Sequence, residues 1–96
     1  MNRLETITID LSDAVNAMAF SEPVTHVYNP FVYARDPALK YARQYGESAP
    51  REAILVGMNP GPWGMAQTGV PFGTIHMVRD WMGLEGRVGR PAREHP

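Results

Sequence analysis

The stretch 53–73, Ala-Ile-Leu-Val-Gly-Met-Asn-Pro-Gly-Pro-Trp-Gly-Met-Ala-Gln-Thr-Gly-Val-Pro-Phe-Gly, constrains this chain more than any other. Ala53 to Met58 is an apolar run broken only by Gly57, the pattern of a strand buried on both faces of a parallel sheet. From Asn59 onward no regular element can continue. Pro60, Pro62 and Pro71 lack a backbone donor and fix φ, and the glycines between them allow the backbone close approach. The predicted arrangement is a long, stiff loop leaving the carboxyl end of a central strand. Ligands of open α/β sheets bind at that place, so Asn59, the first polar side chain after the run, is a candidate site residue.

Two common loops are excluded. A phosphate-binding P-loop needs a lysine, and residues 57–73 contain none. A dinucleotide fingerprint must open a helix, which Pro60 and Pro62 obstruct.

Around this stretch the chain reads as one small unit. Ile7, Leu11, Ala14, Val15 and Met18 recur at helical spacing, predicting an amphipathic helix that covers the sheet and ends near Phe20. Residues 21–30, with Pro23 and Pro30, are expected to be extended. Asp36-Pro37 is read as a helix N-cap followed by proline at the first helical position, with Gly46 as the stop. Ala38, Tyr41, Ala42 and Tyr45 mark that helix's buried face, and Ser48-Ala-Pro-Arg leads to the strand. Thr74 opens a short helix carrying Ile75, Val78 and Met82 on one face and closed by Gly83. Residues 86–96 lose apolar periodicity and are expected to be an exposed, mobile tail.

The loop and its flanks also carry a resemblance. Gly-Met-Asn-Pro-Gly-Pro-Trp-Gly-Met-Ala-Gln-Thr-Gly-Val-Pro-Phe-Gly, residues 57–73, resembles the first catalytic motif of the single-strand-selective monofunctional uracil-DNA glycosylases, a branch of the uracil-DNA glycosylase superfamily. Phe20-Ser-Glu-Pro-Val, Tyr28-Asn-Pro and Met77-Val-Arg-Asp-Trp resemble that family too. Trp63 departs from it mildly, since another aromatic often stands there, and is read as loop packing. The resemblance implies an α/β fold of three layers, a central parallel sheet flanked by helices, of which residues 1–96 are the N-terminal portion of a single domain.

It also implies a chemistry. Hydrolysis of the N-glycosidic bond to uracil passes through an oxocarbenium-like sugar and an anionic base, so it needs a positioned water and a stabilised leaving group. An amide does not titrate near neutrality, but Asn59 can hold and orient a water. The residues alone leave open a plain turn asparagine; the resemblance implies the water-positioning one. Phe72 matches the phenylalanine that stacks on the extruded base, core packing being its other reading. Met58, Gly61 and Met65 would line the base pocket, with Gly61 leaving room near the 5-position. Oxidised relatives such as hydroxymethyluracil would also be substrates.

The family's second catalytic motif opens with His-Pro and lies far downstream; Glu94-His95-Pro96 is not read as that motif. Residues 1–96 alone are therefore expected to release no uracil, and a non-catalytic binding fragment is the alternative reading. Lys40, the only lysine, belongs to a helix, which favours water attack over a Schiff base. Arg79, Arg87, Arg90 and Arg93 could touch phosphate or simply be solvated, because Asp80, Glu85 and Glu94 lie among them. His26 and His76 have no partner at metal spacing. The expected partner is uracil-containing DNA, single- or double-stranded, with no cofactor, metal or membrane. Nine basic and ten acidic residues create no global attraction to DNA. Without cysteines or a signal-like amino terminus the chain is expected to be intracellular, in the bacterial cytoplasm and nucleoid or the eukaryotic nucleus.

Overall fold

Helix Arg35–Tyr45 is the element against which the two preceding helices lie, and its small side chains are the reason. Ala34, Ala38 and Ala42 stand on one face at helical spacing and are all buried. The computed structural model describes residues 1–47 and 49–96. In chain order it contains α1 (Arg3–Asn16), α2 (Pro30–Tyr33), α3 (Arg35–Tyr45), α4 (Met65–Thr68) and a π-helical turn (Met77–Trp81). Beside α3 sits a compact apolar cluster of Val70, Val78 and Leu84, against which Tyr41, Tyr45 and Met82 are packed.

The expected α/β architecture is not formed. Among the described residues there is no strand, and the fold is helices and loops around α3 rather than three layers on a parallel sheet. The run Ala53 to Met58 is irregular and faces solvent: Ile54 is 85% and Met58 96% exposed. An apolar run specifies a wish for burial but no partner. A strand exists only through a neighbouring ladder, and a strand buried on both faces also needs a layer on each side. The elements that pack here are all helical or turn-like, α1 and α2 packing on α3 and α4 on α2. Ser48 of the expected link into the strand lies outside the described residues.

α1 is tied to α3 through polar groups. Its N-cap Asn2 and Glu5 form a reciprocal capping box, Glu5 N donating to Asn2 Oδ1 at 2.8 Å and Asn2 N to Glu5 Oε1 at 3.0 Å. The second oxygen of the buried Glu5 carboxylate accepts from Arg43 of α3 at 3.0 Å, and Asn2 Nδ2 donates to Ala42 O at 2.9 Å. The Asn2 backbone N–H and then Arg43 hold the Glu5 carboxyl below its ordinary range. Gly46 closes α3 as expected, and it also lets α1 approach: a Cβ there would stand 2.8 Å from Leu4 Cβ. The helix ends at Asn16, short of Phe20, and the half-exposed Ile7 and Leu11 are not the side it buries; Glu5 and Ser12 are.

Asn2→Ala should therefore cost about 1 kcal/mol or somewhat more, the usual loss of a side-chain cap. Asn2→Asp keeps the cap oxygen and loses the bond to Ala42 O. Urea midpoints for the two variants separate cap from inter-helix bond, and equal midpoints for both and the parent would contradict the clamp.

α2 begins at Pro30 with Asn29 as its cap, Asn29 Oδ1 accepting from Phe31 N at 3.1 Å. Asn29 Nδ2 donates to Ser12 O and Ser12 Oγ, both at 3.2 Å, so the same residue fastens α2 to α1. In α3, whose N-cap is Ala34, Asp36 and Pro37 stand two positions further in than expected, as the second and third helical residues. Pro37 still falls among the first residues of the helix, whose N–H groups have no intrahelical acceptor, and so costs no bond. Freed from capping, the Asp36 carboxylate takes up the end of the chain: Oδ2 accepts from Arg87 N at 2.9 Å and pairs with Lys40 at 3.2 Å. Gly89 N donates to Tyr33 O at 2.7 Å, and His95 N donates to the Tyr28 hydroxyl. Residues 86–96, without helix or strand, are thus held at several points.

The Asp36 carboxyl is drawn below its ordinary value, chiefly by the Arg87 N–H and next by Lys40. A depressed carboxyl stabilises above the unfolded pKa and loses that contribution as pH falls through the folded one. The Arg87 amide signal should follow this titration, with its midpoint below the usual carboxylate range. Asp36→Asn should abolish the response; an Arg87 shift that titrates unchanged in that variant would break the assignment. No described helix is long and apolar enough to cross a membrane.

Candidate functional site

The loop after Met58 is shaped by its own hydrogen bonds. Gly61 O accepts from Gly64 N at 3.2 Å and Ala66 N at 3.0 Å, which turns the chain into α4, and Gln67 Nε2 donates to Pro62 O at 2.9 Å. The Tyr33 hydroxyl, bonded to Ala66 O, fixes α4 to α2. α4 stops at Gly69, whose φ of 72° is left-handed and whose Cα lies against Ala34.

Beyond Gly69 the loop makes its sharpest feature. Val70-Pro71-Phe72-Gly73 closes with Gly73 N donating to Val70 O at 2.9 Å, proline in the second position. Phe72 occupies the third with φ of 56°, the only non-glycine described with positive φ. Glycine or asparagine normally fills that place, and an L-side chain there costs about 1–2 kcal/mol. The turn is anchored from within: Val70 is fully buried, and the buried Thr68 hydroxyl donates to Gly73 O at 2.7 Å while accepting from Val70 N at 3.2 Å. The ring is not core. Phe72 is 64% exposed, and a Cβ added to Gly57 would meet it at 3.3 Å, so it lies over the glycine just before Met58 and Asn59.

The candidate residues accordingly fall into two groups. Phe72 covers Gly57, next to the exposed Met58 and Asn59. Asn59 Nδ2 donates to Pro60 O at 3.2 Å, and among the described residues Oδ1 has no protein donor. Met65 instead joins Leu11, Met18, Phe20, Val27 and Phe31 around an apolar cavity of about 570 Å³ that Pro60 also borders but Asn59 and Phe72 do not. Gly61, between Asn59 and Met65 in sequence, is half-buried, with open space where its Cβ would be. Trp63, expected to pack in the loop, has an exposed ring.

Two of the arginines near the loop are paired. Arg79 contacts Asp80 at 2.8 Å, raising its own pKa and lowering that of Asp80, and Arg90 faces Glu94 at 3.7 Å. A second groove of about 430 Å³ runs between Pro60, Pro62, Tyr33, Arg90 and His95. There the His95 ring meets His26 edge-on, centroids 4.9 Å apart; desolvation, then Arg93 and His95, push the His26 pKa down. Among the described residues no group of His, Asp or Glu is placed to hold a metal ion.

Sequence reasoning missed Thr68 and Asn29. Asn29-Pro30 carried the cap-then-proline signal in full. Thr68 carried none, since only the folded turn brings Gly73 O to its hydroxyl.

No family model matches the chain. Over 86 residues, 90% of its length, it is 51% identical to a Bos taurus protein named single-strand selective monofunctional uracil DNA glycosylase. It is 49% identical over the same length to proteins of that name from Rattus norvegicus and Mus musculus. The chain spans about 31% of the length of the first two and 30% of the third.

Proposed function

We propose that this chain, a relative of the single-strand-selective monofunctional uracil-DNA glycosylases over 90% of its length, serves base-excision repair as part of a protein that hydrolyses the N-glycosidic bond of uracil in DNA. The observation that carries the reading is Phe72: a large ring held exposed at a backbone angle it disfavours, directly beside the Asn59 segment. Strain of that kind persists where surrounding structure enforces it, and such positions cluster at functional sites.

In this reading the Phe72 face replaces the stacking that an extruded base loses. Asn59 Oδ1, without a protein donor among the described residues, accepts a hydrogen bond from a water and aims the water's lone pair at C1′ as the C1′–N1 bond breaks. The water's oxygen bonds to C1′, its proton is released, and the base departs with the bonding electrons. Gly61 borders the base, with Met58 at the rim, and the open space at Gly61 suits a 5-substituent such as hydroxymethyl; Met65, on the separate apolar cavity, is left out of this reading. The chemistry assigned to these residues calls on no metal or cofactor. A DNA substrate would place the protein with the genome, in the nucleus of a eukaryote. Alone, residues 1–96 hold one of the two catalytic segments that the resemblance implies, and would bind without turnover.

The test is a chimera in which this chain replaces the matching third of the Bos taurus protein. It should convert a single-stranded deoxyuridine oligonucleotide to an abasic product. A chimera that melts cooperatively yet makes no abasic sites would refute the reading. In that protein Gly61→Ala should leave the melting temperature unchanged, because its Cβ meets nothing within 4 Å, while excision of 5-hydroxymethyluracil falls more than that of uracil. Equal losses on both bases would remove Gly61 from the pocket.

A further inference from the structure

We propose that Thr68 is a positioning residue: its buried hydroxyl ties Val70 to Gly73 so that the intervening turn presents the Phe72 ring for base capture. The inference rests on the stacking role assigned to Phe72.

The hydroxyl offers one donor and two acceptor lone pairs. Its proton goes to Gly73 O at 2.7 Å, much closer than the alternative acceptor Gly64 O at 3.4 Å, and an acceptor site takes Val70 N–H at 3.2 Å. With Gly73 N donating to Val70 O at 2.9 Å, both ends of the turn are fixed to each other and to the end of α4. Packing wedges the same two ends. Val70 is fully buried, and a Cβ on Gly73 would meet Val78 Cγ2 at 2.6 Å. Neither end can rotate to release the positive φ between them, so Phe72 keeps it, and the ring is thrown outward over Gly57. A proline at the preceding position sets the turn's entry but not its exit. Thr68 supplies the exit.

Thr68 touches neither the ring nor any reacting atom. Its effect must therefore appear first in the ring's position and only then in base capture. The ring's place over Gly57 has a spectroscopic signature, a ring-current shift of the Gly57 α-protons, which Phe72→Leu should remove. Thr68→Val, nearly isosteric but without the hydroxyl, should abolish the shift, and Thr68→Ser should restore it. An unchanged shift in Thr68→Val overturns the proposal.

In the chimera, Thr68→Val should raise KM for the deoxyuridine strand as Phe72→Ala does, with kcat less affected, and Thr68→Ser should recover it. Loss of the shift with unaltered KM would overturn the link to base capture and locate the failure in Phe72's stacking role, since Asn59-dependent excision would persist. If Thr68→Val does not fold, the parent chain decides: a slowly exchanging Thr68 hydroxyl proton with a contact to Val70 N–H supports the tie, and one lost to rapid exchange overturns it.

Discussion

Asn59→Ala in the chimera should lower the single-turnover rate of uracil excision by about 10²–10³-fold, while DNA affinity and melting temperature stay close to the parent. The magnitude is that of removing one preorganised group that acts on the reacting centre. The stability side follows from position: Asn59 is exposed, among the described residues its side chain has one hydrogen bond, to the neighbouring Pro60 carbonyl, and truncation of an exposed side chain opens no cavity. An effect confined to the chemical step means that the interaction is made in the transition state and not in the ground state. Phe72→Ala should behave oppositely, weakening capture of the base by about the 1–3 kcal/mol of a lost stack. Its ring is outside the core, so the larger stability cost of truncating a buried phenylalanine should be absent. Excision at the parent rate by Asn59→Ala would make the asparagine a turn residue and nothing more.

How far the sequence could be read depended on whether the physics was local. The stop at Gly46, the closure at Gly83 and the shared face of Ala38 and Ala42 were legible because caps and helical periodicity are properties of a few adjacent residues. The cap-and-proline rule was also sound, but it applied to Asn29-Pro30, whereas Asp36-Pro37 sits inside a helix opening where proline is tolerated and the carboxylate is free to hold Arg87. Ala53 to Met58 was misread because an apolar pattern expresses a preference for burial but supplies no neighbour, and the run stands exposed. Whether such a run becomes a strand depends on pairing partners that lie elsewhere in the chain. Phe72 shows the same limit from the other side. Core packing and exposed stacking demand the same residue type, and only the turn locked by Thr68 and Gly73 settles which way the ring points.

That turn depends on the residue before it, and Gly69→Ala should be the most damaging single methyl in the chain. Gly69 has φ of 72°, where an L-residue costs about 1–2 kcal/mol. Its added Cβ would also stand 2.5 Å from Ala34 O, 3.0 Å from Ala34 Cβ and 3.3 Å from Ala38 Cβ. None of these neighbours can swing away. Ala34 O already accepts from Ala38 N at 3.2 Å in the first turn of α3, and the alanines have no rotamer to change. Overpacking of this kind adds about 1–3 kcal/mol, so the whole loss is on the order of 2–5 kcal/mol. A domain of this length has only about 5–14 kcal/mol in total. Gly83→Ala is the matched control: φ is 67°, yet nothing lies within 4 Å of its Cβ, so it should lose only the conformational part. The difference between the two urea midpoints then measures how tightly α4 is held to α3. Relief at Gly69 can come only by lifting the loop off Ala34, which moves Thr68 and Phe72 with it. Gly69→Ala should therefore also lose the Gly57 ring-current shift that Gly83→Ala retains. Equal costs at the two glycines would show that Gly69 does not rest on α3, and that the loop is not held where the site requires it.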